Sequence, residues 1–156
     1  MPYNASLVSF GTRSNVLRNG LLSTVTGTNP AANTELSTTV TAGEIWELIS
    51  YSVACVQGIT QTPQPILRIA DAAGLVIFEG FGSSGAQAAS TTCQYTWMAG
   101  AGAPSAQVGA TTNVHAVAGL PLGLVLGSAF VISSVTVGIG ANTDYGAPQL
   151  YVLKYS

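Results

Sequence analysis

Sixty-four consecutive residues, from Gly80 to Thr143, carry no charged side chain. Glycine, proline and β-branched residues interrupt almost every window of helical length in this stretch, so an amphipathic helix is not expected there. Short runs rich in apolar and β-branched residues recur instead, separated by turn signals, and such runs are typical of strands. The chain is therefore predicted to be almost wholly β-structure.

The same shortage of charge holds for the whole chain, which has four basic and six acidic residues among 156 and a net charge of −2. About a quarter of the residues in an ordinary soluble domain are charged. Here serine (15), threonine (17) and glycine (18) are abundant instead. Small polar groups of this kind can pack against a neighbour without the cost of desolvating ions. The composition indicates an assembly component rather than an enzyme.

The strand with the clearest pattern runs from Glu44 to Val56. Its alternation predicts two faces, Ile45, Ile49, Tyr51, Val53 and Cys55 on one and Trp46, Leu48, Ser50, Ser52 and Ala54 on the other. A hairpin follows, formed by Pro65–Ala70 and Leu75–Glu79 around an Asp71–Gly74 turn. Arg68 and Glu79 are expected to pair across it.

Six further strands are predicted, at Glu35–Val40, Thr91–Trp97, His115–Ala118, Leu122–Leu126, Ala129–Val137 and Gln149–Tyr155. About eight antiparallel strands without helices predict a single jelly-roll-like sandwich. The apolar stretch Ala116–Ile132 approaches the length of a membrane span, but its glycines and Pro121 favour two buried strands joined by a turn.

Residues 1–33 are predicted to be an N-terminal arm and residues 34–156 the sandwich. The arm scatters apolar residues without strand periodicity, and contains Arg13 and Arg18. One strand is expected in it, lying on the sandwich or on a neighbouring subunit. No secretory signal is expected, because the first residues have neither a basic nor an apolar region.

The sequence offers few groups for chemistry. Residues 80–85 match the G-x-G-x-x-G phosphate-binding pattern, but no helix is predicted after them and no carboxylate follows at the usual distance, so nucleotide binding is not expected. His115 has no nucleophile motif near it. Cys55 and Cys93 are expected to be free buried thiols, although they could pair if their strands were adjacent.

No catalytic, metal-binding or cofactor-binding residue is assigned, because the six carboxylates are dispersed and form no ligand cluster with histidine or cysteine. Four basic residues are also too few to hold a nucleic-acid backbone. The aromatic residues are expected in the core or at subunit interfaces, with a sugar-binding platform as the alternative. They are Trp46, Trp97, Tyr51, Tyr95, Tyr151 and Tyr155.

The order of several segments resembles the small jelly-roll structural proteins of tailed bacteriophages, namely head decoration (cement) proteins and related fibre-head modules. The matching segments are Thr41–Leu48, Leu67–Ile69 with its turn through Asp71 and Gly74 to Val76–Ile77, Ala89–Thr92 leading to Tyr95–Trp97, Leu120–Leu122 ahead of Val131–Val137, and Leu150–Val152. They span residues 34–156. The resemblance carries over no functional residue.

The resemblance implies a non-catalytic homotrimer that sits on the capsid surface, contacts the major capsid protein and stabilises the phage head after assembly in the host cytoplasm. Neither a nucleic acid nor a membrane is an expected partner. A tail, collar or fibre component with the same sandwich is an alternative, because such parts also need neutral, oligomeric β-modules. A carbohydrate-binding jelly roll is a second alternative.

Overall fold

The computed structural model describes residues 20–58, 61–109 and 114–155, and within these ranges it is all β, without a helix. Eleven strands are formed. They are β1 (Leu21–Thr26), β2 (Ser37–Thr39), β3 (Ile45–Gln57), β4 (Gln64–Ala70), β5 (Val76–Phe81), β6 (Thr92–Ala99), β7 (Val114–Leu120), β8 (Val125–Leu126), β9 (Val131–Val137), β10 (Thr143–Tyr145) and β11 (Gln149–Tyr155). The all-β prediction is confirmed.

The strands form two sheets that pack as a sandwich. The large sheet has the order β1-β11-β3-β6-β7, with β8 and β10 also pairing with β3, and the small sheet has the order β2-β9-β4-β5. Eight strands remain when β7, β8 and β10 are set aside. Counted from one to eight in chain order, these strands have the order 1-8-3-6 in the large sheet and 2-7-4-5 in the small sheet. This is the order of an eight-stranded jelly roll, as predicted.

The structure departs from simple alternation in β3. Ser50 pairs with Tyr151 while Leu48 pairs with Val152, so Ile49 is an extra residue in a β-bulge. After the bulge, the alternation of inward and outward side chains is shifted by one residue. Trp46 and Leu48 therefore face the core together with Tyr51, Val53 and Cys55. The predicted division of this strand into two continuous faces was therefore wrong.

The predicted hairpin is confirmed as β4 and β5. Asp71 Oδ1 accepts hydrogen bonds from the backbone N–H groups of Ala73 and Leu75, both at 2.9 Å. Gly74 has a φ of +85°, the left-handed conformation that a side chain disfavours. Local turn chemistry therefore determines this hairpin.

Two predictions for the second half of the chain need correction. The strand expected at His115–Ala118 is longer, Val114–Leu120, and it pairs with β6 in parallel rather than antiparallel. The strand expected at Leu122–Leu126 is reduced to the two residues of β8.

The outer edge of β7 is covered by the loop that follows β6. Ser105 N–H donates to Val117 O at 2.8 Å, and Val108 and His115 exchange two backbone hydrogen bonds. The Gly/Ala-rich loop thus satisfies edge groups that would otherwise invite another strand.

The opposite edge of the large sheet is β1, which pairs with β11 over its full length. This strand lies within the segment predicted as an arm, and it lies on the sandwich itself. The part of that segment before residue 20 is outside the described residues.

The core lies between the two sheets and is built from aromatic and aliphatic side chains. Tyr95 and Trp97 stack with ring centroids 6.1 Å apart, and Tyr51 meets Trp97 edge to face at 5.9 Å. These three residues and Trp46 are at most 1% exposed. A core of this size explains how the chain folds with so few ionic contacts.

Candidate assembly surfaces

The large sheet presents an outer face whose central rows carry no charge. One row crosses the sheet through Thr26, Gln149, Ser52, Thr96 and Val117. The next row consists of Thr24, Tyr151, Ser50, Met98 and Gly119. The central part of this face therefore presents hydroxyl, amide and apolar groups.

Charged groups on this face lie near its two ends. Glu47 lies in the half of β3 before the bulge, and Asp144 pairs with Val56 near the far end of β3. The rows between them are the part of the face that could pack against a neighbour without desolvating an ion.

Hydrogen bonds between side chains hold the central row in place. Gln94 Nε2 donates to Ser52 Oγ at 2.7 Å, and Ser52 and Thr96 share a hydrogen bond of 2.9 Å. Thr26 donates to Gln149 Oε1 at 2.9 Å. Because these groups are ordered by one another, a partner would meet a preformed surface.

The small sheet presents an outer face of different chemistry. Two apolar rows, Val135–Ile66–Phe81 and Val131–Ala70–Val76, lie on either side of a polar row. The polar row contains the Arg68–Glu79 ion pair, with Arg68 Nε 2.8 Å from Glu79 Oε2. The predicted cross-strand pair is thus present.

Charges elsewhere in the described chain are used within the fold. Glu44 accepts a hydrogen bond of 2.6 Å from Trp46 Nε1 and pairs with Lys154 Nζ at 3.1 Å. The bond from Trp46, and after it the bond from Lys154, lowers the pKa of the Glu44 carboxyl. Glu35 accepts hydrogen bonds from the Ser134 hydroxyl and from the backbone and hydroxyl of Thr136. These charges stabilise local structure rather than forming a binding patch.

The G-x-G-x-x-G segment serves packing. A Cβ atom on Gly82 would lie 2.7 Å from the rings of both Trp97 and Tyr95, so the glycine lets the chain pass close to the aromatic core. Gln64 and Gln107 bind the backbone carbonyls of Ser83 and Gly85 at 3.1 and 3.2 Å. No helix follows the segment in the described chain, so it lacks the helix N-terminus on which a phosphate rests in dinucleotide-binding folds.

Gln87 joins this loop to the core and was not singled out from the sequence. Its amide donates to the carbonyls of Cys55 and Thr91 at 3.0 and 2.8 Å, and its Oε1 accepts from Tyr95 OH at 3.1 Å. The side chain is fully buried. A glutamine in a loop of small residues gives no sequence signal for this role.

The two cysteines lie directly opposite each other on β3 and β6, and both are free. Burial raises the pKa of the Cys55 thiol to about 12 and that of Cys93 to about 11. A protonated, enclosed thiol is a poor nucleophile. His115 lies on β7 with an exposed side chain, and its imidazole takes part in none of the side-chain hydrogen bonds described above.

The aromatic residues do not form one platform. Trp46, Trp97, Tyr51 and Tyr95 are in the core, while Tyr151 lies half exposed on the outer face of the large sheet. In the described ranges, no group of three histidine, cysteine or acidic residues is placed to hold a metal ion. These ranges also contain no helix long and apolar enough to cross a membrane.

Comparison with known proteins gave distant similarity only. No protein-family model matches the chain, and no curated protein does. Solved structures of infectious bursal disease virus are similar at 10% identity and a TM-score of 0.40 for the Gx strain, and at 8% and 0.41 for the Gt strain. Each match covers 86% of this chain but 32% of the matched chain. This chain therefore spans about a third of those chains, and similarity this distant carries no inference about its function.

Proposed function

We propose that this chain is a non-catalytic structural protein of a virion, and specifically a capsid decoration protein that oligomerises on the phage head and stabilises it. The observation that carries the proposal is the outer face of the large sheet, whose central rows are uncharged and are held in place by hydrogen bonds between their side chains. Such a surface suits broad, permanent contact with protein, because packing it buries no ion.

The distribution of charge supports the same proposal. Arg68 and Lys154 are each paired with a carboxylate of the same chain. Because both cations of the described chain are paired, its surface has little to attract an anionic small molecule or a nucleic acid. It can still adhere to another protein through backbone and apolar contacts.

We further propose that the major capsid protein is the partner, at the outer surface of the shell, and that the assembly is the homotrimer implied by the phage resemblance. A tail or fibre component would use the same kind of surface, so the number of copies per particle is the distinguishing quantity. A decoration protein covers the whole shell, whereas a tail or fibre part is present in few copies.

The experiment is quantitative mass spectrometry of purified virions, with the major capsid protein as the internal standard. Copy numbers comparable to that of the shell protein are expected. A copy number matching the tail proteins would overturn the decoration role, and absence from virions would overturn the structural role altogether.

A second measurement addresses the nature of the contact. Because the surface carries so few charges, raising NaCl across the range in which the Debye length falls from roughly 10 to 3 Å should leave the protein on the particles. Release by salt alone would show that the contact is ionic, contrary to the proposal.

A further inference from the structure

The outer face of the small sheet has a pattern that fits a second copy of itself. Its central row carries one cation on β4 and one anion directly beside it on β5, Arg68 and Glu79. Apolar rows lie on both sides of this row. This row therefore has no net charge, but its charge distribution has a direction, because the positive group is on β4 and the negative group is on β5.

Apolar side chains of β5 and β9, in these two rows or beside them, are exposed to solvent. Phe81, Val76 and Ile77 on β5 are 45, 44 and 43% exposed, and Val137 on β9 is 57% exposed. Ile66, which lies between Val135 and Phe81 in its row, is 7% exposed in the single chain. Neighbouring exposed apolar residues on one sheet face mark a contact surface.

We propose that this face is a self-association surface, on which two copies of the chain pack with a two-fold axis parallel to the strands and between β4 and β5. Rotation about that axis exchanges the two strands and keeps each row in place. Arg68 of one copy then lies opposite Glu79 of the other, and Ile66 lies opposite Phe81. A two-fold contact of this kind uses the same patch twice.

Charge complementarity is what favours a second copy over another occupant. The face presents both signs side by side, so a partner of uniform charge would leave one of the two groups unpaired or repelled. A second copy provides the inverted pattern by symmetry. The proposal rests on the self-association in the proposed function. If the trimer is held together by other surfaces, the contact between small sheets joins two trimers into a hexamer.

Charge-swap variants test the proposal by light scattering at protein concentrations of about 1 to 100 μM, where a small interface is expected to form. Arg68→Glu and Glu79→Arg each place two like charges on the face. Each variant alone should associate at least ~100-fold more weakly than the wild type, because like charges would meet across the contact. The measured mass should therefore fall to half the wild-type value.

An equal mixture of the two variants should restore the wild-type mass, because a face with two carboxylates then meets a face with two guanidinium groups. The ion pair within one chain cannot explain this recovery, since it is absent from both variants. Asp144→Lys, which changes a charge on the large sheet, is the matched control and should keep the wild-type mass. Circular dichroism spectra identical to that of the wild type establish that all variants are folded.

The proposal is overturned if the wild type is monomeric throughout the range, if both swaps keep the wild-type mass, or if the mixture fails to recover it. Swaps that keep their mass but no longer bind particles would assign the face to the shell instead. The copy number per virion does not enter these outcomes, so failure here and failure of the decoration role are distinguishable.

Discussion

Cys55 on β3 and Cys93 on β6 are directly opposed across an antiparallel pair, both fully buried and both free. Burial keeps both thiols protonated at neutral pH, with pKa values raised to about 12 and about 11 from an ordinary value of 9. Their position makes them reporters of the integrity of the core rather than reactive groups.

We expect stability to fall as the pH rises above about 9. The pKa of each thiol is higher in the folded chain than in the unfolded chain, so the unfolded state loses its protons first and becomes favoured. The contribution is fully present below pH 9 and is lost progressively toward pH 12. The denaturation midpoint in guanidinium chloride, measured at a series of pH values, checks this.

The double variant Cys55→Ala, Cys93→Ala is the control for that titration. In this variant, the free energy of unfolding should no longer fall between pH 9 and 10. The buried tyrosines, whose ordinary pKa is 10, contribute to the fall only above that pH. Thiol labelling of the wild type at pH 8 should give no reaction until the protein is unfolded. A thiol that reacts at the rate of a free cysteine in native buffer would contradict the burial.

Tyr51 and Tyr95 should respond differently to loss of the hydroxyl group. Tyr95 OH donates to Gln87 Oε1 and accepts from Gln107, whereas Tyr51 OH has no hydrogen-bond partner among the described residues. Tyr95→Phe should lower the free energy of unfolding by about 1–3 kcal/mol, because it leaves a buried amide oxygen unpaired. Tyr51→Phe, the matched variant, should leave it unchanged or raise it. Equal losses in the two variants would refute the assigned network.

Replacing Trp46 should destabilise the fold through the core rather than through a surface. Its ring is 1% exposed, and its N–H is bonded to Glu44. Trp46→Ala should cost about 3–5 kcal/mol in thermal or denaturant unfolding. Tyr151→Ala, on the outer face, should stay within about 0.5 kcal/mol of the wild type. An unchanged melting temperature for Trp46→Ala would mean that the ring lies outside the core.

Gly119 is expected to tolerate no side chain. A Cβ atom there would collide with the carbonyl oxygen of Ala101 and lie 2.8 Å from that of Gly102. Backbone atoms cannot give way as a flexible side chain can, so Gly119→Ala should displace the loop that covers β7. Faster amide exchange at Ser105 and Val108 would report this. Gly85→Ala, where a Cβ atom meets nothing within 4 Å, is the control and should behave as the wild type.

Truncation separates the first strand from the residues before it. A chain starting at Gly20 keeps β1 and is the reference against which the loss of that strand is measured. A chain starting at residue 34 loses β1, which pairs with β11 through six residues, and should be less stable and prone to aggregate through the bared edge. Equal melting temperatures for the two truncated chains would show that β1 contributes nothing to the sandwich.

Much of the fold follows from local pattern. The hairpin of β4 and β5 could be predicted because the Asp71–Gly74 turn brings its strands together within a few residues. The closing strand, Gln149–Tyr155, matches its predicted bounds because its alternation is uninterrupted. Both cases depend on interactions between residues near each other in the chain.

The candidate surfaces depend on contacts that are distant in sequence. The bulge at Ile49 arises from the pairing of β3 with β11, about a hundred residues later, and it determines which side chains of β3 face outward. The parallel pairing of β7 with β6 and the hydrogen bond from Gln87 to the Cys55 carbonyl likewise join segments that are distant in the sequence.

By itself, the sequence determined that this protein is a sparsely charged, β-rich sandwich with free, buried cysteines, because composition and alternation act residue by residue. Only the tertiary structure decided that the outer face of the large sheet is rich in hydroxyl groups. It also decided that the outer face of the small sheet is apolar and is divided by the row that contains Arg68 and Glu79. The physical reason is that a face is made of rows across strands, and the register of each row is set by long-range backbone hydrogen bonds and by packing of the core.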